Sequence, residues 1–342
     1  MPRRLLRGAF VGFGNVAAKG HLPGWQARDD VTIVAAADAA GASRRAVFAA
    51  ACPDARWYDD VDDLLAGETL DFVDICTPPG SHVGLIKRAL GAGLHILCEK
   101  PLAVRLEDAL AVAAAAARAG RVVHTVHNWL QAPICLKISE LIGDGAIGAV
   151  RSIRWRTLRT RPAVAVGPDG VPNWRIVPAL AGGGILFDHG WHAIYCVLRW
   201  AGGAPRGVAA ALETRRFHEW PLEDTATLTL DLAAGSAHIY LTWTADERAN
   251  HIEVEGDRGR IRVVDEYVFV QTASGERRWP CSAPLSEGSH HPDWFAGVAD
   301  DFCAAVSGGR KNNLDEALLC ARVIDLAQRS SAAGGIRLSL DT

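Results

Sequence analysis

The 342-residue sequence predicts an α/β protein in two parts: a doubly wound parallel sheet, then an α+β domain with a large, mostly antiparallel open sheet. Two observations carry that prediction. Up to about residue 126, short aliphatic runs alternate with segments of helical composition, the pattern of a parallel sheet covered on both faces. From residue 127 onward strand-like segments follow one another with only turns between them, as in an antiparallel sheet.

Parallel strands are predicted over 5–11, 31–37, 72–76, 94–98 and 122–126, each short, aliphatic and bounded by Gly, Pro, Asp or charged residues. Helices are predicted between them over 17–28, 41–51, 82–92 and the Ala-rich 107–118. The domain boundary is placed between residues 126 and 127. Beyond it the sequence predicts a helix at 130–142, a strand at 149–158, a Pro/Gly-rich irregular stretch to 181 and a helix at 184–200. Alternating segments at 207–217, 225–232, 237–244, 250–255, 260–264 and 268–272 form the open sheet, and helices at 292–306 and 314–332 close the chain. Trp243, Tyr240, Tyr267 and Phe269 give these strands more large side chains than a solvated face carries, which predicts a homo-oligomer, a dimer or tetramer.

Composition narrows the function. With 49% hydrophobic and 22% charged residues the chain can bury a large core, and Arg, Lys, Asp or Gly interrupts every apolar run short of the roughly 18 residues a membrane span needs. The balance of 36 Lys+Arg against 39 Asp+Glu offers no basic surplus for nucleic-acid phosphates. Eight cysteines without a Cys-x-x-Cys pair predict free thiols, not a disulfide framework or a zinc site. Met1 to Arg7 is basic but is followed by no sustained apolar core, so the chain reads as a cytoplasmic protein without a secretory leader.

The first chemical motif is Gly12-Phe13-Gly14-Asn15-Val16-Ala17, G-x-G-x-x-A at a strand-to-helix junction. Gly12 permits the tight turn, Gly14 lets backbone approach a pyrophosphate, and Ala17 lets helix and strand pack closely. Asp38 ends the second strand, 21 positions after Ala17, where a carboxylate binds the adenosine ribose hydroxyls and repels a 2'-phosphate. The expected cofactor is therefore NAD, with NADP less favoured, although Ser43, Arg44 and Arg45 begin the next helix near a phosphate's place.

Further residues carry a family resemblance. Cys76-Thr77-Pro78-Pro79 with His82, Cys98-Glu99-Lys100-Pro101, and Gly182-Gly183-Gly184-Ile185-Leu186-Phe187-Asp188-His189-Gly190-Trp191-His192 together resemble the glucose-fructose oxidoreductase and inositol dehydrogenase (Gfo/Idh/MocA) family over essentially the whole chain. The resemblance implies a Rossmann domain followed by an open sheet whose outer face serves association, and a cis Lys100–Pro101 peptide. It implies that Thr77, Pro78, Pro79 and His82 run beside the nicotinamide ribose and pyrophosphate, with Glu99 and Lys100 in the same surroundings. It places Asn128 near nicotinamide or substrate and brings Trp174 and Arg175 over the site, for stacking on a sugar ring and pairing with an anionic group. His127-Asn128-Trp129 departs from the family's usual tyrosine-asparagine-x-arginine run, and His189 stands where smaller residues are frequent.

The residue chemistry agrees. Oxidising a secondary alcohol needs a base for the hydroxyl proton and an acceptor for the hydride. Lys100 follows the carboxyl end of a strand, where a cation can hydrogen-bond the substrate oxygen. Asp188 and His192, at i and i+4, share a helix face, so His192 can take the proton while Asp188 orients it or binds a neighbouring hydroxyl. No further ligand cluster accompanies them, and no metal is expected. The reading is a sugar, cyclitol or polyol dehydrogenase; a glycosidase working by transient oxidation and elimination, or a silent nucleotide-binding regulator, are the alternatives.

Overall fold

The computed structural model describes residues 5–39, 41–162, 173–288 and 290–340. The chain divides into two compact units, one of Met1–Asn128, Ala165–Trp174 and Gly288–Leu318, the other of Trp129–Val164, Arg175–Glu287 and Leu319–Thr342.

In the first unit β1 (Leu6–Val11), β2 (Val31–Ala37), β3 (Arg56–Tyr58), β4 (Phe72–Ile75), β5 (His95–Cys98) and β6 (Val123–Thr125) form one sheet in the order β3-β2-β1-β4-β5-β6. Every neighbouring pair is parallel. Burial on both faces explains the aliphatic runs: Phe10, Ala36, Phe72, Val73, Ile75, Ile96, Leu97 and Cys98 are all 0% exposed. The winding reverses between β1 and β4, the switch point at which open α/β sheets bind ligands. β3 and the helix Val61–Gly67 are additions to the predicted pattern. The strand is a three-residue edge, and the helix starts where the Asp60 carboxylate accepts the Asp62 amide at 2.6 Å.

This unit also takes a segment from far along the chain. In the helix Pro292–Val306, Phe295, Val298, Ala299 and Phe302 pack with Phe10, Trp25 and Phe72. Ring centroids lie 5.3 Å apart for Trp25–Phe295 and 5.2 Å for Phe72–Phe302. The contact division thus returns Gly288–Leu318 to the nucleotide-type unit, whereas the boundary read from the sequence assigns everything after 127 to the second domain.

The second unit holds β7 (Val150–Leu158), β8 (Gly207–Glu213), β9 (Thr225–Leu232), β10 (Gly235–Thr242), β11 (Ala249–Gly256), β12 (Gly259–Val264), β13 (Tyr267–Thr272), β14 (Gly275–Pro280) and β15 (Leu338–Ser339). Their order is β14-β13-β12-β11-β7-β10-β9-β8-β15, with β7 and β10 the one parallel pair of this sheet among the described residues. Alternation sets the faces: Ile153, Trp155 and Thr157 of β7 are buried, Arg154 and Arg156 exposed. Trp243 is 1% exposed and belongs to the core, which corrects its expected place on the outer face. Tyr240, Tyr267 and Phe269 are half-buried beneath Arg156, Arg278 and Arg262, whose guanidinium carbons stand 5.6, 5.4 and 5.6 Å from the ring centroids. Part of the predicted irregular stretch, 163–172, lies outside the described residues. No helix among the described residues is long and apolar enough to cross a membrane. All eight cysteines are free thiols.

Candidate active site

At the end of β1, Gly12 adopts φ +85° and donates its amide to Ala37 O at 2.8 Å. A Cβ here would lie 2.6 Å from Thr77 Cγ2, so the turns after β1 and β4 touch and only glycine fits. A Cβ on Gly14 would meet nothing within 4 Å, which leaves the open approach a pyrophosphate requires. Asn15 is exposed and Val16 half-buried, whereas the Phe13 ring is in the core and contributes its amide, donated to Asp38 Oδ2 at 2.7 Å. Arg44 Nη1 reaches the same oxygen at 2.6 Å. This loop fits a dinucleotide, and an arginine is already drawn to the Asp38 carboxylate.

The turn after β4 is braced by side chains. Ser81 Oγ lies 2.7 Å from Thr77 Oγ1 and 2.8 Å from Pro78 O, and Pro79 is buried. His82 is 0% exposed, with Nδ1 2.8 Å from Pro101 O and Nε2 2.8 Å from Thr77 O. Both ring nitrogens are therefore spent on the chain, and His82 ties the Thr77 turn to the Lys100 loop. The Lys100–Pro101 peptide is cis.

Beneath that loop lies a buried polar network that the sequence reading missed. His21 Nδ1 stands 2.9 Å from Asp74 Oδ2, and its Nε2 stands 3.1 Å from Glu99 Oε1. Trp25 Nε1 donates to Asp74 Oδ2 at 2.8 Å, Cys76 Sγ lies 3.2 Å from His21 Nδ1, and Glu99 Oε2 accepts the Lys100 amide at 3.0 Å. Burial would lower the imidazole pKa, but the charge and hydrogen bond of Asp74, then of Glu99, push it up to about 9. His21 is thus an imidazolium at neutral pH. Burial favours the neutral form of Glu99 too, yet His21 and then Lys100 hold it below the ordinary carboxylate range. His21, Asp74 and Cys76 bring donor atoms within 4.8 Å of one another, a set able to hold a metal ion; their hydrogen bonds make them an ion pair with a thiol beside it. The available signal was Asp74, a carboxylate inside an otherwise apolar run, which burial obliges to find a partner.

In the second unit the glycine run is set by packing. Gly182 adopts φ +84°, and a Cβ on Gly184 would stand 1.8 Å from Glu223 O. That carbonyl accepts the Ile185 amide at 3.2 Å, while Glu223 Oε1 accepts Leu186 N at 3.1 Å. The following helix is π-helical over Leu186–Gly190 and α-helical over Trp191–Ala201, so Asp188 and His192 are not related by a regular α-helical i, i+4 step.

His192 is 7% exposed. Its ring stacks on Trp129 at 4.6 Å, and Nδ1 lies 2.6 Å from Tyr195 Oη. Tyr195 Oη also accepts the Trp129 amide at 3.1 Å, and burial keeps the phenol protonated well above its ordinary pKa. Tyr195, three residues on from His192, holds the imidazole at Nδ1 and is a contact that the sequence reading passed over. Asp188 Oδ1 lies 3.4 Å from Arg175 Nε, and Oδ2 lies 3.6 Å from His189 Nε2. Burial and the neighbouring Arg248 hold Arg159 down to about 9, against the pull of Asp188. Asn128 and Trp174 are half-buried, each at the start of a 3-10 turn.

A six-stranded parallel sheet with this glycine turn at its switch point, followed by an open-sheet unit bearing a positioned histidine, defines a two-domain dinucleotide-type oxidoreductase. Residues 6–127 match the GFO_IDH_MocA family, described as an oxidoreductase family with an NAD-binding Rossmann fold, and residues 135–262 match the GFO/IDH/MocA C-terminal domain. The D-apiose dehydrogenase of Paraburkholderia graminis is 32% identical over 81% of this chain and 73% of its own. The D-xylose 1-dehydrogenase (NADP(+)) 2 of Haloferax volcanii is 26% identical over 95% of this chain and 97% of its own. The crystal structure of an Agrobacterium radiobacter oxidoreductase with NAD+, L-tartaric acid and magnesium shares the fold, with TM-score 0.86 and 21% identity over 98% of this chain and 99% of that one. The chain belongs to the GFO/IDH/MocA oxidoreductase family.

Proposed function

We propose that the protein is an NAD-dependent dehydrogenase that oxidises a secondary alcohol of a sugar, cyclitol or related polyol. The observation that carries this reading is His192, an imidazole held by Trp129 on one face and by Tyr195 at Nδ1. The reading requires the tautomer in which Nδ1–H donates to Tyr195 Oη, which leaves Nε2 as the basic atom to take the hydroxyl proton. In the first unit Lys100 would hydrogen-bond a substrate oxygen and stabilise charge developing on it, and in the second Asp188 would receive a hydroxyl neighbouring the one His192 deprotonates. Asn128 and Trp174 in the first unit, and Arg175 and His189 in the second, are the further residues this reading assigns to substrate. The nicotinamide, when bound, supplies the acceptor for the hydride that leaves the carbinol carbon.

The backbone from Gly12 to Val16 would hold the pyrophosphate and Asp38 the adenosine ribose, with Thr77, Pro78 and Pro79 beside the nicotinamide ribose and Glu99 supporting Lys100. NAD is the preferred cofactor in this reading. The sugar dehydrogenases among the relatives support the substrate class. A cytoplasmic homo-oligomer, dimer or tetramer, belongs to the same proposal and is supported by the half-buried Tyr240, Tyr267 and Phe269 on the open sheet.

A screen of sugars, inositols and sugar acids, followed at the NADH absorbance band with NAD and with NADP, tests the reading. The expected result is NADH formation with a polyol substrate, slowed at least about a hundredfold in His192→Ala. Release of free sugar from a glycoside without net NADH would replace it with an elimination mechanism.

A further inference from the structure

Three buried N–H groups of the second unit have no hydrogen-bond acceptor among the described residues: Arg159 Nε, Asn250 Nδ2 and Trp243 Nε1. Arg159 is 2% and Trp243 1% exposed. Strand register brings them to one place. Thr242 of β10 is paired with Leu158 of β7, and Asn250 of β11 with Thr157 of β7. Residues opposite one another, or two apart along a strand, share a face. Trp243 just past β10, Arg159 just past β7 and Asn250 at the start of β11 therefore occupy one end and one face of three adjacent strands.

The neighbouring atoms of Arg159 and Asn250 are engaged. Arg159 Nη1 serves Leu158 O at 2.7 Å and Ala249 O at 3.0 Å. Its Nη2 donates to Asn250 Oδ1 at 3.4 Å, which orients the amide and makes Nδ2 the outstanding group. Each buried donor left unsatisfied costs about 1–3 kcal/mol, so three together on one face call for a ligand. All three can only donate. A neutral sugar hydroxyl both donates and accepts, whereas a carboxylate only accepts, through two oxygens with about four lone-pair sites. Charge points the same way: Arg159 and Arg248 are each depressed by burial, and Asp188 is the acidic group that acts on both.

We propose that this end of β10, β7 and β11 is an anion subsite in which Arg159, Asn250 and Trp243 receive the carboxylate of an aldonic or uronic acid. The substrate class is then an acidic sugar. The inference rests on the dehydrogenase reading for its sugar, and on the three donors for its carboxylate.

Binding of D-gluconate and D-galacturonate to the full-length protein, measured by calorimetry against D-glucose, D-galactose and D-glucose 6-phosphate, tests it. The acids should bind at least about tenfold tighter than their neutral counterparts and than the phosphate ester. Trp243→Phe and Asn250→Ala should each erase about tenfold of that preference while leaving neutral-sugar affinity unchanged; Arg159→Gln should erase more, if it folds, and the other two variants decide the matter if it does not. Equal binding of acid and neutral sugar, preference for the phosphate ester, or a preference unmoved in both variants overturns the subsite and marks those donors as solvated by ordered water. NADH formation separates the two readings. Acids that bind as expected but yield no NADH uphold the subsite against the dehydrogenase; neutral sugars that yield NADH while the acids fail to bind do the reverse.

Discussion

Arg44 Nη1 and the Asp38 carboxylate meet at 2.6 Å, on the same oxygen that accepts the Phe13 amide at 2.7 Å. The carboxylate that would read the adenosine ribose is thus part of the glycine loop's own scaffold and carries a guanidinium that a 2'-phosphate could claim. In Arg44→Ala the lone carboxylate should repel that phosphate more strongly, raising the NAD:NADP ratio of kcat/KM about tenfold. Asp38→Ala should lower the ratio by at least as much. Ratios of the two cofactors' efficiencies in both variants check this, and an unmoved ratio in Asp38→Ala removes Asp38 from the ribose site.

The His21 ion pair makes stability depend on pH. Its folded pKa of about 9 lies above the ordinary 6.5, so its stabilisation is complete below about pH 6.5 and fades as the pH climbs through 9. Urea midpoints of the native protein should therefore fall between pH 6.5 and 9.5. His21→Gln should be less stable at pH 6 by about 3 kcal/mol and flat across that window. A slope retained in His21→Gln would assign the dependence to another group.

His192→Ala should lower kcat by about 10²- to 10⁴-fold, the usual worth of a positioned base, with NAD binding preserved. Tyr195→Phe keeps the ring and removes the hydroxyl 2.6 Å from Nδ1. It should lower kcat about tenfold and move the acidic limb of the pH–rate profile, which a purely structural loss would leave in place. Steady-state kinetics from pH 5 to 9 distinguish the two.

Gly184→Ala should destabilise the protein by about 2–4 kcal/mol, because the new Cβ meets a backbone carbonyl, that of Glu223, at 1.8 Å. Gly14→Ala, by contrast, meets open space and should leave the unfolding midpoint within about 0.5 kcal/mol of the native value while weakening dinucleotide binding. Chemical denaturation of the two variants, with NAD titration of the second, checks the contrast.

The parallel strands were legible because burial on both faces turns them into aliphatic runs, and Val31–Ala37 begins and ends where the pattern says, as does the antiparallel Thr225–Leu232 with its alternation. The edge strands Arg56–Tyr58 and Gly275–Pro280 were not, since an edge of charged or mixed residues has no apolar signature. Local spacing also cannot separate a π turn from an α turn, so the geometry at Asp188 stayed hidden. Lys100 and the glycine motifs sit in contiguous segments and could be read directly. His21 with Asp74, or Arg159 with Asn250 and Trp243, are brought together only by strand order and register, which no single stretch of sequence encodes.

The aromatic residues that the helix Pro292–Val306 adds around Trp25 and Phe72 come from the last sixth of the chain. During synthesis, therefore, the parallel strands emerge ahead of the open sheet, yet strands β7 to β14 must leave the ribosome before the centre of the nucleotide-type unit can close. A nascent chain stopped after Val126 would expose the Phe10, Trp25 and Phe72 cluster to water and to other chains. The nucleotide-type unit is thus translated ahead of most of the open sheet but completed after it, which makes its early half a natural client for chaperones.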